Sequence, residues 1–372
     1  MSSIVTFCTP SIFCEDSISY ITGTALSSSL VVQAFSLNGK VSFSVGIING
    51  TQIIYQGVQT EESFLNYSVI RIKKINSTKF IVVWQDDSTK NIKFTIGTVN
   101  TSNYSISFGE VVTQTEFSGS AIEINLEVLS ESLFTCVIHT AFPSAYKNVC
   151  GIISGTSIML GTCYNLSGDP KIPNIVRLTD TSYVLIGANF DDDYSWSGKV
   201  VNVSGTTPTY GDKQKIYEYG SGLSVYSSNC SSLIPISSSK FIAIFVSVNS
   251  NSNLRIAICS VSGSTISVGT LYTPYMNDYV WGSIGGSSLI DDDYFIFFNY
   301  GSRPGRCYEI CEIDGTSVNF IEAGDCPITT SASYLSRGKI AASTKSGSGY
   351  IITYPSKIKG LSTIKGLNKI II

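Results

Sequence analysis

The chain has 372 residues, of which 43% are hydrophobic and only 14% charged, with 32 Gly, 21 Tyr, 18 Phe and a net charge of −3. Such a composition excludes a disordered polyelectrolyte, and without a basic surplus to neutralise phosphates nucleic acid is not an expected main partner. No apolar run reaches the roughly 18 to 20 residues that span a bilayer, and MSSIVTFCTPSIF lacks the positive n-region and long apolar core of a signal peptide, so neither membrane insertion nor export is expected.

Taken in chain order, the sequence repeats two phrases. The first is an apolar residue, a small polar turn, and an apolar or aromatic run that starts five positions after the first residue. Its copies are ALSSSLVVQAF from Ala25, INSTKFIVVW from Ile75, LSESLFTCVI from Leu129, LTDTSYVLIG from Leu178, ISSSKFIAIF from Ile236, IDDDYFIFFN from Ile290 and LSRGKIAAST from Leu335. The second phrase follows each of the first six: IINGTQIIYQG at Ile47, TVNTSNYSISFG at Thr98, VCGIISGTSIMLGT at Val149, VVNVSGTTPTYG at Val200, ICSVSGSTISVG at Ile258 and a worn EICEIDGTSVNF at Glu309. The closing glycines Gly57, Gly109, Gly161, Gly211 and Gly269 are 52, 52, 50 and 58 residues apart. A period of about fifty residues marks a repeat architecture.

Each unit reads as four short strands, as in SVIRIKKI (Ser68 to Ile75), KFIVVWQ, NIKFTIGTV and YSISFGEVV. Small polar turns join the first two, and Asn-Gly or Ser-Gly corners, where glycine or asparagine supplies positive φ, join the last two. The predicted fold is all-β: a seven-bladed β-propeller of four-stranded blades over residues 1–356, followed by an extended C-terminal segment, 357–372. Continuous apolar runs such as FIVVW and FIAIF suit sheets covered on both faces. A β-solenoid, the rival architecture, would need a shorter coil repeat. The last unit is a strand short, and either the N-terminal stretch Ser3 to Cys8 or the C-terminal segment is expected to complete it and close the ring.

The turns within the repeated phrases are short and monotonous, so they make one uniform face. The other connections are long and varied: 85–91, 139–148, 189–198 and 299–306 within blades, 59–68, 217–228 and 272–283 between them. They collect Phe64, Tyr67, Phe142, Tyr146, Tyr194, Trp196, Tyr217, Tyr219, Tyr275, Tyr279, Trp281 and Tyr300, beside Asp191, Asp192, Asp193, Arg303 and Arg306. Any single ring in such a loop is readily tucked into a blade junction. As a group on one face they point to partner binding, because aromatic side chains give large contact area at low entropic cost.

Catalytic chemistry is poorly provided for. His139 is the one histidine, no GxSxG elbow accompanies it, the Asp box of sialidase-type propellers is missing, and no spacing selects a carboxylate pair. Asp86, Asp87 and Asp191 to Asp193 suit a Ca²⁺ or sugar hydroxyls on paper, yet acids in turns are ordinarily solvated turn residues. The 10 Cys show no CxxC spacing, so they read as reduced, small hydrophobes. Neither an enzyme activity nor a metal or cofactor is expected.

The blade phrases KFIVVW, IGTVN and ISFG, together with the C-terminal IKGLS, resemble the β-propeller virion proteins of tailed bacteriophages. The blade likeness covers most of the chain but is generic to propellers, whereas the tail likeness covers only Lys357 to Leu367. The resemblance implies a non-catalytic structural protein of the virion, a decoration, collar or tail-associated component present in multiple copies, whose partners are other virion proteins or a host-surface glycan. It brings no catalytic residues. A carbohydrate-binding lectin or adhesin and a propeller glycosidase are the alternatives. The tail itself repeats IKGL, and Ile358, Leu361, Ile364 and Leu367 are its expected anchor, docking on a neighbouring protein with four lysines alongside.

Overall fold

The computed structural model describes residues 18–324 apart from 38–39, 50–51, 66, 87, 118, 141–144, 167–170, 190–194, 219–230, 248–252, 275–282, 291 and 301–307, together with short strands nearer the two ends. The described residues are strands and turns, with no helix among them. In chain order, β1 (Val5–Thr6) and β2 (Ser11–Ile12) precede a first sheet of β3 (Ile18–Ala25), β4 (Leu30–Leu37), β5 (Lys40–Asn49) and β6 (Gln52–Leu65). The second sheet holds β7 (Tyr67–Lys74), β8 (Lys79–Asp86), β9 (Ile92–Val99), β10 (Ile106–Phe108) and β11 (Val112–Gln114). The third holds β12 (Ala121–Ser130), β13 (Leu133–Thr140), β14 (Ala145–Ser154), β15 (Ser157–Leu160) and β16 (Tyr164–Asn165). The fourth holds β17 (Lys171–Arg177), β18 (Ser182–Asn189), β19 (Ser195–Ser204), β20 (Thr207–Tyr210) and β21 (Gln214–Tyr217). The fifth is β22 (Ser231–Ser237), β23 (Lys240–Ser247), β24 (Asn253–Ser262) and β25 (Thr265–Val268), and the sixth β26 (Ser283–Leu289), β27 (Tyr294–Tyr300), β28 (Tyr308–Asp314) and β29 (Ser317–Gly324). Beyond them, β30 (Leu335–Ser336), β31 (Ile340–Lys345) and β32 (Ser348–Thr353) pair in order, β2 lies antiparallel beside β32, and β33 (Ile370–Ile371) runs parallel to β1. The strand beside β32 is thus Ser11–Ile12, a few residues later than the expected Ser3 to Cys8.

Within each of the six sheets from β3 to β29 the strands are antiparallel neighbours. The repeated phrases account for their turns. In the first turn the apolar residue donates its N–H to the carbonyl four residues on, as Leu26 to Leu30, Ile75 to Lys79, Leu178 to Ser182 and Ile290 to Tyr294 at 2.8 to 2.9 Å. The next residue caps the turn with its own side chain: Ser27, Asn76, Ser130, Thr179 and Ser237 each accept the N–H two residues later. Side chains of this kind favour turns because they substitute for backbone partners. In the outer hairpins Gly155, Gly205, Gly263 and Gly315 sit at φ between 59° and 65° in two-residue loops, the position where a II′ turn needs glycine.

The sequence FIVVW shows how one strand serves two cores. Phe80, Val82 and Trp84 pack in a cluster with Val32 and Phe43 of the first sheet, whereas Ile81 and Val83 pack with Ile124 and Phe134 of the third. All five are at most 1% exposed. The same sharing joins the third sheet to the fourth, the fourth to the fifth and the fifth to the sixth. Stability therefore resides between sheets, at roughly 25 cal/mol per Å² of apolar surface removed from water.

The closing glycines seal these junctions. A Cβ on Gly109, Gly161, Gly211 or Gly269 would run into Thr156, Thr206, Ser264 or Thr316, the outer turn of the following sheet. Each glycine also donates its N–H to the third strand of its own sheet, at 2.8 to 2.9 Å. The outer strand breaks there in the second, third and fourth sheets, and its second half re-pairs farther along the third strand. Gly57 departs from the series: it lies inside the long β6 at φ 95° with nothing close to its Cα substituent.

Candidate functional site

First strands neighbour one another from sheet to sheet, β3 with β7, β7 with β12, β12 with β17, β17 with β22 and β22 with β26. Because strand direction alternates, the first and third turns emerge at one end of the sheets and the remaining connections at the other. The two ends are chemically different.

At the end of the varied connections, several expected loop residues belong to strands. Phe64 lies in β6 and Tyr67 in β7, with one residue between the two strands, and Tyr300 lies in β27. The ladders extend past the expected strand ends, with Tyr67 in register opposite Asp86, Tyr300 opposite Ser283 and Ala145 opposite Thr140. Tyr146, also in a strand, is half-buried and stacks on His139, ring centroids 4.3 Å apart and nearly parallel. Burial holds that imidazole below its ordinary pKa, which favours the neutral, apolar ring.

Trp196 requires a correction. Expected on the surface, it lies in β19 opposite Ala188 of β18, is 1% exposed, and its ring lies 5.5 Å from that of Phe245 in the next sheet. Tyr217 joins it against Phe245 at 5.6 Å. Both rings are junction packing. Phe142, Asp191, Asp192, Asp193, Tyr194, Tyr219, Tyr275, Tyr279, Trp281, Arg303 and Arg306 lie outside the described residues, as do Asp87 and the tail residues Ile358, Leu361, Ile364 and Leu367.

Asp86 is held by its own loop rather than open to a cation. Its carboxylate accepts the Ser88 N–H at 2.9 Å, the Thr89 N–H at 3.3 Å and the Ser88 hydroxyl, and the other oxygen meets Lys93 Nζ at 2.5 Å. Burial raises this carboxyl, but the Lys93 and Ser88 hydrogen bonds outweigh it and leave the pKa well below the carboxylate range. Among the described residues no three His, Cys, Asp or Glu side chains are grouped to hold a metal.

The described cysteines, Cys136, Cys150, Cys163, Cys259 and Cys311, are free thiols. Burial pushes Cys150 up to about 11 and Cys163 and Cys259 to about 12, with Cys136 and Cys311 also raised. Cys136 and Cys150 lie on adjacent strands but face opposite junctions. The buried Asn148 anchors a polar network between the third and fourth sheets: its amide donates to Thr135 Oγ1 at 2.8 Å, and its oxygen accepts both the Tyr183 and Tyr210 hydroxyls at 2.8 Å.

At the uniform end the first strands enclose a central cavity of 620 Å³. Sheets two to four contribute Lys73, Lys74, Glu127, Glu131, Arg177 and Asp180, while sheets five, six and one contribute Leu233, Ile234, Pro235, Leu289, Ser287, Ser288, Thr24 and Ala25. Lys73 Nζ meets Glu127 at 2.8 Å, Arg177 meets Asp180 at 2.5 Å, and Asn76 donates to Glu131 at 3.2 Å. Polar ties also bind neighbouring first strands: the Lys74 N–H to Thr24 Oγ1, Asn174 Nδ2 to the Ser231 carbonyl at 2.8 Å, and Ser232 to Ser287 through their hydroxyls at 2.7 Å. Sequence reasoning passed over this cavity. Its one local trace is charge in the first strands, as in RIKKI, NLEVLSE and VRLTD.

No family model and no curated protein matches this chain. Solved structures do resemble it. A candidate 6-phosphogluconolactonase from Bacteroides fragilis superimposes with a TM-score of 0.53 at 8% identity, covering 82% of this chain and 85% of the other. A second, from Bacteroides uniformis, gives 0.51 at 8% identity, covering 82% and 86%. At such identity the likeness concerns architecture alone: the chain has an all-β, β-propeller-like fold.

Proposed function

We propose that the protein is a seven-bladed β-propeller that acts by binding, as a non-catalytic structural component of a tailed-phage virion. The count of seven is supported by the sheet of β30, β31, β32 and β2, whose first strand, β30, neighbours both β26 and β3. In this reading residues 1–356 form the ring, β2 is the outer strand of the last blade, and 357–372 anchor the protein to a neighbour. The observation that carries the binding role is the division between the two ends. Turns at one end are short and capped by their own side chains in sheet after sheet, whereas the connections at the other end vary in length and hold Tyr275, Tyr279, Trp281, Arg303 and Arg306. Uniform packing demands do not produce variation confined to one end. The virion assignment rests on the IKGL tail and the blade phrases; the activity named for the lactonase candidates is not carried over at 8% identity.

The test uses Tyr279→Ala with Trp281→Ala in the full chain. Retention on immobilised host-envelope glycan or on the purified virion proteins should fall at least about tenfold, as expected when aromatic anchors are removed, with an unchanged thermal midpoint. A lowered midpoint would assign the rings to packing and remove the reading. Release of sugar from the glycan by the wild-type protein would move it to the glycosidase class.

A further inference from the structure

We infer that the central cavity at the uniform end is a second binding site, for a small zwitterion with an apolar body such as a hydrophobic amino acid or a di- or tripeptide. Its 620 Å³ falls within the roughly 300 to 1,000 Å³ of small-molecule pockets. Among the described residues the lining is divided: every charged side chain comes from three consecutive sheets, and the accessible apolar residues Ala25, Pro235 and Leu289 come from the facing ones, where Leu233 and Ile234 are buried in the junctions. Among the described residues three bases stand with three acids, so an ion of single sign such as phosphate or a polyamine meets as much repulsion as attraction.

The charges are not equally engaged. Lys73 and Glu127 neutralise each other across the second and third sheets, as do Arg177 and Asp180 within the fourth. Lys74 and Glu131 remain: both are exposed, Lys74 Nζ has no ion-pair partner among the described residues, and Glu131 has only the neutral Asn76 amide. They lie on neighbouring sheets and carry opposite signs. Lys74 suits a ligand carboxylate and Glu131 a ligand ammonium, while an apolar side chain lies against Ala25, Pro235 and Leu289 and loses water there.

Calorimetric titration of the full chain tests the site with leucyl-leucine, its N-acetylated amide and inorganic phosphate. Leucyl-leucine should bind, the capped peptide should bind at least about tenfold more weakly for want of both charge-assisted contacts, and phosphate should give no heat. Lys74→Ala and Glu131→Gln should each weaken leucyl-leucine about tenfold with unchanged thermal midpoints, since both side chains are exposed. No binding of leucyl-leucine, equal binding of the capped peptide, or binding of phosphate would overturn the assignment. The Tyr279→Ala, Trp281→Ala protein should bind leucyl-leucine normally, so the fate of this site is independent of the partner-binding end.

Discussion

Single residues separate what is packed from what is presented. Trp196 was indistinguishable from Trp281 in the sequence, since both stand among Gly, Ser and Tyr in connections of similar look. Cross-strand pairing with Ala188 and contact with Phe245, a residue 49 positions away, decide its burial, and neither is encoded nearby. Trp196→Ala should therefore destabilise the fold by about 3 to 5 kcal/mol, measured by denaturant unfolding; a loss under about 1 kcal/mol would place the ring on the surface. Asp86 gives a pH-dependent counterpart. Its carboxyl ionises below the unfolded value of about 3.9, so its stabilisation is complete above that pH and fades as the pH falls through the depressed folded value. Asp86→Asn should lower the thermal midpoint clearly at pH 7 and much less near pH 2. An equal decrease at both would assign its role to turn geometry alone.

Among elements, the turns and central strands were legible because their determinants are local. A Ser, Thr or Asn that caps its own turn, a glycine at positive φ and a run like FIVVW each act within a few residues. The varied connections are shorter than their sequence suggests because ladder extension depends on the partner strand. The function of the closing glycines was also hidden: the repeat was visible, but the threonine or serine turn against each one belongs to the next unit. Gly161→Ala should cost about 1 to 3 kcal/mol by overpacking against Thr206, whereas Gly57→Ala, with open space around it, should show only the strain of its φ of 95°. Comparing the two in urea distinguishes a packing constraint from a conformational one. Gln214 reinforces the next junction, that of Gly211 with Ser264, its amide donating to the Ser264 carbonyl at 2.7 Å and accepting the Ile266 N–H. Gln59 makes the equivalent pair with Ile106.

For the whole molecule, a period near fifty residues was enough to reach a propeller-like fold, and a far-ultraviolet spectrum should show less than about a tenth helix against an average near a third. What the period did not contain was the cavity. Its lining is drawn from positions between Thr24 and Leu289, one short piece from each of six sheets. In the proposed propeller, closure of the ring is the global property with the largest expected effect. Deleting residues 1–12 removes the strand that pairs with Ser348–Thr353, so the truncated protein should unfold at a lower temperature and associate through the vacated edge in sedimentation. A monomer with unchanged stability would show that the ring does not depend on that strand.

The glycine-to-turn contact gives the chain a direction. Each unit's groove is filled by the unit made after it, from Gly109 against Thr156 to Gly269 against Thr316. Each of these glycine grooves is therefore unsealed until the next unit of the chain is in place. The joint is also alike from the second sheet to the sixth, so a whole repeat inserted there would receive its neighbours through contacts already in use.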